Sequence, residues 1–118
     1  MSFQNQFTKT TTDANLMETV HHGSAEYPFR YYYENIALFD FKCIDWHWHS
    51  ELEFIYIESG NVVFDIGTVH FELNEGNGIM INSKILHRLQ SSSDAIIPNF
   101  LFQPSFIAPQ DSLIYKKY

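Results

Sequence analysis

Cysteine, glycine, proline and basic residues are all scarce in this chain, and each shortage removes a class of explanation. Cys43 is the only cysteine among 118 residues, so no intramolecular disulfide is available, and a reducing compartment, the cytoplasm, is expected. Seven Lys and Arg stand against fourteen Asp and Glu, a formal net charge of −7, and of the basic residues only Lys116 and Lys117 are adjacent. A surface of that sign repels phosphate backbones, whose neutralisation by basic side chains supplies most nucleic-acid affinity. The chain is therefore not expected to bind DNA by itself. No apolar run approaches the roughly 18 residues of a spanning helix, and no basic segment followed by an apolar core opens the chain, so neither a membrane span nor a signal peptide is expected. The five glycines form no phosphate-binding loop, and no P-loop or Ser-His-Asp order is present, which sets aside a kinase and a serine hydrolase.

Aromatic and β-branched residues are what the chain has instead. Hydrophobic residues make up 45% of it and aromatic residues 17%, with eleven Phe and seven Tyr, enough to fill one core in one domain. These residues cluster in short runs, at 29–33, 37–43, 52–57, 62–66, 69–73, 79–81 and 97–102, separated by Gly, Asn and Ser. Close, regular spacing of that kind predicts an all-β sandwich or barrel. Gly67-Thr68 suits a two-residue type II′ hairpin, and residues 75–78 form a second turn. Residues 1–25, rich in Thr, Gln, Asn and His, show no periodic apolar face and read as an N-terminal arm or partly disordered tail. The folded unit is assigned to residues 26–106. Pro104 and Pro109 break strand pairing beyond it, leaving 107–118 as an exit segment that ends, without a cap or turn, in Leu113, Ile114 and Tyr115.

Within this β pattern the chemistry concentrates at His47-Trp48-His49. Side chains two apart on an extended backbone share a face, so the two imidazoles face a common ligand. Glu53 follows four residues later and returns a carboxylate to the same cavity. His87, after the apolar run 79–81 and the turn-like Asn82-Ser83-Lys84, is the natural fourth group. Three imidazoles and a carboxylate suit Zn, Fe, Mn or Ni. The same residues also suit a polar lining for an organic ligand, or histidines satisfied within a barrel mouth.

These residues resemble the cupin superfamily, and more narrowly the N-terminal sensor domain of AraC-family transcriptional regulators. The first cupin motif reads Gly, five residues, His-any-His, three residues, Glu, six residues, Gly. His47, His49, Glu53 and Gly60 fall on it, and Phe41 stands at the leading Gly. In the second motif, Gly76 and His87 match, while Asn82, Lys84 and Ser91 stand where the family has Pro, Gly and Asn. The resemblance covers residues 18–106 and implies a double-stranded β-helix, the cupin jelly-roll barrel. It further implies an effector-sensing and dimerising role rather than catalysis. A small polar metabolite, such as a sugar, would bind at His47, His49, Glu53 and His87 and bias the arm. The expected partners are that effector, a second copy in a homodimer, and DNA only through a C-terminal helix-turn-helix domain absent from this chain, which reads as an excised sensor. The alternative is a stand-alone metal-dependent cupin enzyme, an oxygenase or isomerase, with the same four residues holding the metal.

Trp46 and Trp48 should face away from His47 and His49 and pack in the core. One or two of Tyr31, Tyr32 and Tyr33 should line the pocket, and parity does not choose among them. Glu51 shares parity with Glu53, and one of the two is expected to face solvent. Alternation around Val69, Phe71 and Leu73 leaves His70 exposed. His21 and His22 fall in the arm and receive no role. Cys43, beside Ile44 and after Phe39 and Phe41, reads as a small buried hydrophobe rather than a nucleophile.

Overall fold

A computed structural model describes residues 10–19 and 29–104. Eight strands follow one another: β1 (Phe29–Asn35), β2 (Cys43–His47), β3 (Leu52–Tyr56), β4 (Asn61–Ile66), β5 (Val69–Asn74), β6 (Gly78–Ile81), β7 (His87–Gln90) and β8 (Ile96–Phe102). They form two antiparallel four-stranded sheets, ordered β1-β8-β3-β6 and β2-β7-β4-β5. The chain crosses between the sheets at every connection except the β4–β5 hairpin, and the expected all-β double-stranded β-helix is observed.

The core lies between the sheets and is built by strand alternation. Ile55 and Ile57 come from the first sheet, Val62, Phe64 and Leu89 from the second, all at most 2% exposed. Phe64 stacks on Phe71 at 5.6 Å between ring centroids. Val69 and Leu73 share the face of Phe71, and His70 is exposed, as the alternation predicts; its partner is Asp65. The turn at Gly67 has φ +57, and Thr68 does not share the positive φ, consistent with the type II′ form. Gly60 has φ +81, and a Cβ there would stand 2.7 Å from the Asp94 carbonyl oxygen, so the motif glycine is held both by conformation and by crowding.

Three strand expectations need correction. Residues 37–43 are not a strand: two short 3-10 turns, Ile36–Leu38 and Asp40–Lys42, occupy the segment, and only Cys43 enters β2. Asn35 starts the first turn by accepting the Ala37 N–H at 3.0 Å, and Ile36 and Phe39, three apart, are both buried. Their helical spacing outweighs the aromatic content that made the run look extended. The strands β2 and β7 lay outside the runs named from sequence because each carries only one aliphatic inward residue, Ile44 or Leu89, the other inward position being a histidine.

Residues 10–19 of the expected arm are hydrogen-bonded against β2 rather than loose. The Trp48 N–H donates to the Leu16 carbonyl at 3.0 Å, the Glu18 N–H to the Trp48 carbonyl at 2.8 Å, and the Asp45 N–H to Thr10 Oγ1 at 3.0 Å. The rest of the arm, with His21 and His22, and the exit segment 107–118 lie outside the described residues. Among the described residues no helix is long and apolar enough to cross a membrane.

Candidate functional site

The register of β2 against β7 decides where His47 points. Ile44 pairs with Leu89 and His47 with His87, so three steps on β2 oppose two on β7. The extra residue is a bulge, and it restores His47 to the inward face that Ile44 already occupies. Across the barrel, Glu53 points inward from β3, on the same face as Ile55 and Ile57. His49 lies just beyond the end of β2. His47, His49, Glu53 and His87 are all buried, and a ligand atom from each lies within 4.8 Å of the others.

The three imidazoles are oriented the same way. Nδ1 of His47 bonds to the Asp45 carbonyl at 2.7 Å, that of His49 to the Glu51 carbonyl at 3.0 Å, and that of His87 to the Ile85 carbonyl at 2.7 Å. A carbonyl oxygen only accepts, so each Nδ1 must carry the proton, and each Nε2 is directed to the interior. Glu53 Oε1 sits 3.2 Å from Nε2 of both His49 and His87. Inward lone pairs facing a carboxylate repel unless a cation stands among them. In the metal-free arrangement that cation is a proton. Burial alone would lower the His49 pKa, but its hydrogen bond to Glu53 and the charges of Glu53 and Glu18 outweigh burial and raise it to about 9. Burial would raise Glu53, yet the His49 and His87 hydrogen bonds hold it well below the usual carboxylate range. His47, with no such partner, is pushed down to about 4 by burial and then by the charge of His87.

The donor set fits a divalent transition metal. Backbone-anchored Nδ1 groups fix tautomer and ring direction, the arrangement metal-bound histidines use, and the carboxylate supplies the anionic donor.

A cavity of about 40 Å³ adjoins the cluster, lined by His47, His49 and Glu53 but not by His87, which lies behind them. Thr10, Thr11 and Glu18 line it from the arm. Tyr32 is the tyrosine that lines it; Tyr31 instead packs on Phe100, and Tyr33 bonds to Glu58. Glu34 and Asn99 also line the cavity, and sequence reasoning missed both. Burial, then the charges of Glu53 and Glu18, push Glu34 up to about 8, although Asn99 hydrogen-bonds its charged form. The inward parity of β1, which carries Tyr32 and Glu34 together, was the available signal. Among the described residues no Lys or Arg lines the cavity.

Several neighbouring residues depart from expectation. Glu51 is buried like Glu53 rather than facing solvent, 3.9 Å from His49 Nδ1. Trp46 and Trp48 are half-buried and stand outside the core: Arg88 lies 5.1 Å from the Trp46 ring, and Trp48 Nε1 donates to the Asn15 carbonyl at 3.0 Å. The bulge and the docked arm take both indoles out of the core. Cys43 is half-buried, and burial raises its pKa, which keeps the thiol protonated. At the motif's Asn position, Ser91 Oγ donates to the Asn61 carbonyl at 2.7 Å and accepts from the Ser93 N–H, tying the turn after β7 to β4.

Known proteins share both the sequence pattern and the barrel. The chain is 32% identical over 108 residues to an uncharacterized HTH-type transcriptional regulator, YdeC, of Bacillus subtilis. That match takes in 90% of this chain but spans only 36% of the relative's length. Two solved cupins from Shewanella frigidimarina share the fold: a cupin-2 domain protein at TM-score 0.56 and 13% identity, covering 64% of this chain and 72% of that one, and an RmlC-like cupin at TM-score 0.57 and 14% identity, covering 64% and 66%. A family model described as the AraC-like ligand binding domain matches residues 39–108, which takes in β2 to β8 and all four clustered residues, and the chain therefore belongs to the AraC-like ligand-binding domain family.

Proposed function

We propose that this domain is the effector-sensing and dimerising part of a cytoplasmic AraC-type transcriptional regulator. It acts as a sensor rather than an enzyme, and DNA is contacted only through a separate helix-turn-helix domain. Residues 1–25 serve as the arm, 26–106 as the sensor barrel and 107–118 as the exit toward that domain. The effector is a small polar metabolite bound beside His47, His49, Glu53 and His87. The observation that carries this reading is that Thr10, Thr11 and Glu18, residues of the arm itself, form part of the cavity wall. One water needs about 10–15 Å³, so about 40 Å³ admits a few waters and not a sugar ring. Anything larger enters only when the arm moves, and a ligand then biases the arm by its differential affinity for the two positions.

The lining favours a neutral or cationic effector over an acid. Glu18, Glu34 and Glu53 line the cavity, and among the described residues no Lys or Arg does. A neutral sugar or polyol is consistent with this lining, because its hydroxyls satisfy carboxylate, imidazole and amide groups together. Thermal unfolding with a panel of sugars, polyols, amines and small acids tests the reading. A ligand at about 100 times its dissociation constant contributes about 2.7 kcal/mol, a shift of roughly 10 °C in a domain of this size. The shift should vanish in Glu53→Gln and His47→Asn. No shift with any compound removes the sensor reading; a shift that survives both substitutions places the ligand elsewhere.

The second reading is a metal-dependent cupin enzyme, favoured by the donor set itself. His47, His49, Glu53 and His87 would hold Zn, Fe, Mn or Ni, which supplies Lewis-acid or redox chemistry when bound. Around it, the chain's own groups would be Glu34, holding a proton at the cavity wall, and Tyr32. Elemental analysis of protein purified without chelator decides whether the cluster takes metal, with His49→Ala and His87→Ala expected to reduce occupancy. No metal after purification or after incubation leaves only the organic pocket.

A further inference from the structure

The outer face of the β1-β8-β3-β6 sheet is apolar across its full width. Register aligns its outward residues in rows. The middle row is Tyr31, Phe100, Phe54 and Met80, and beside it Phe29 pairs with Phe102, which pairs with Leu52. On the other side Pro98 and Tyr56 continue the face. No charged side chain interrupts these rows. Phe29, Tyr56, Met80 and Phe100 are 40–50% exposed, a large aromatic surface for a single domain. The second sheet shows the contrast: its outer face carries Asp65 bonded to Arg88 and His70, and Asn61 bonded to Glu72. An antiparallel sheet facing water normally looks like the second sheet, not the first.

We infer that this aromatic face is the homodimer contact, sheet against sheet around a two-fold axis near Phe54 and Phe100. The inference rests on the dimeric reading above and adds the surface that makes it. Charge selects the occupant: two chains of net charge −7 repel, and a face without charge is where they meet without bringing carboxylates together. Size agrees. Four strands about 4.8 Å apart and three rows about 6.8 Å apart give a footprint of roughly 20 by 20 Å, the apolar centre of a standard interface that buries about 800 Å² per partner inside a polar rim. Sheets paired this way pack about 10 Å apart with strands near 30° to each other, which lets Phe54 and Phe100 interdigitate with their twins. Gly78 contributes room: a Cβ there would stand 3.0 Å from the Phe54 ring.

Sedimentation equilibrium of the full chain at micromolar concentration tests the face. Wild type is expected as a dimer. Phe100→Glu and Met80→Glu, at outward positions 43% and 50% exposed, should weaken it at least tenfold while circular dichroism and monomer melting stay unchanged. Gln90→Glu, exposed on the other sheet, should leave it intact. Raising salt from about 50 to about 500 mM should tighten the dimer, because screening removes net repulsion and leaves apolar contact. Both face variants dimerising as tightly as wild type overturns this face and leaves the dimeric reading standing. A wild type monomeric throughout overturns both.

Discussion

Replacing Phe41 or Lys84 with glycine should make the domain more stable. Both occupy positions where the cupin motifs have glycine, and both keep the backbone that glycine would adopt: φ is +60 at Phe41 and +65 at Lys84. A side chain in this left-handed region costs about 1–2 kcal/mol. Glycine relieves that cost but loses about 0.5–1 kcal/mol more conformational entropy on folding, so each substitution should gain about 0.5–1 kcal/mol. Little packing is lost in return, since Phe41 is 93% exposed and Lys84 is exposed as well. The two stand at opposite ends of the β2–β7 ladder, far enough apart for their effects to add. The double variant should therefore gain about 1–2 kcal/mol, a rise of roughly 4–8 °C in melting midpoint. Urea denaturation with Phe41→Ala and Lys84→Ala as controls separates strain from side-chain identity, because alanine keeps the Cβ. Glycine variants no more stable than the alanine variants would refute the reasoning.

Metal-free protein should be most stable between about pH 4.5 and 6.5, where the opposing contributions of His47 and Glu34 cancel. His49, raised to about 9, contributes stability that is fully present below pH 6.5 and is lost as pH climbs to 9. On the acid side, Glu53, whose folded pKa is depressed, loses its contribution as pH falls below the ordinary carboxylate range, and the unfolded chain protonates His47 between about 6.5 and 4. Urea midpoints at pH 4.5, 6.5 and 9 check this; a midpoint at pH 9 equal to that at 6.5 would contradict the His49–Glu53 assignment. Glu34→Gln should raise the melting temperature at pH 8.5 and change it little at pH 4, since the wild-type carboxyl, raised to about 8, opposes folding increasingly as pH rises from the ordinary carboxylate range, where the unfolded chain ionises it, to about 8. An equal effect at both values would mean that Glu34 is not held neutral by its surroundings.

The cluster was legible because its four residues are fixed by strand parity and motif spacing, and both are one-dimensional. His47 and His49 share a side, Glu53 stands opposite, and His87 closes the group as the spacing indicated. The fold class was equally legible from short aromatic runs. What escaped is what depends on partners distant in sequence. Nothing local distinguishes Glu34 from any strand carboxylate until β8 brings Asn99 beside it and β3 brings Glu53. The bulge at residues 45–46 and the arm bonded to Trp48 removed both indoles from the core, and neither is written in residue periodicity. The segment 37–43 failed for a different reason. Its apolar residues serve a 3-10 turn as readily as a strand, and Asn35, capping from outside the run, decides between them.

On the sensor reading proposed above, a bound ligand moves the arm. The arm's attachments to the barrel include four hydrogen bonds: Asp45 to Thr10, Trp48 to Leu16, Glu18 to Trp48, and the Trp48 indole to Asn15. At about 1 kcal/mol net for each, they total about 4 kcal/mol before the entropy of ordering ten residues is charged against them. Leu16 opposes them, for it sits at φ +66, where an L residue gives up about 1–2 kcal/mol. On the sensor reading, a bound metabolite that supplies a few kcal/mol moves the arm only by its differential affinity for the two arm positions. A stronger arm would seal a cavity of about 40 Å³ against every effector, and a looser one would leave the barrel indifferent to occupancy.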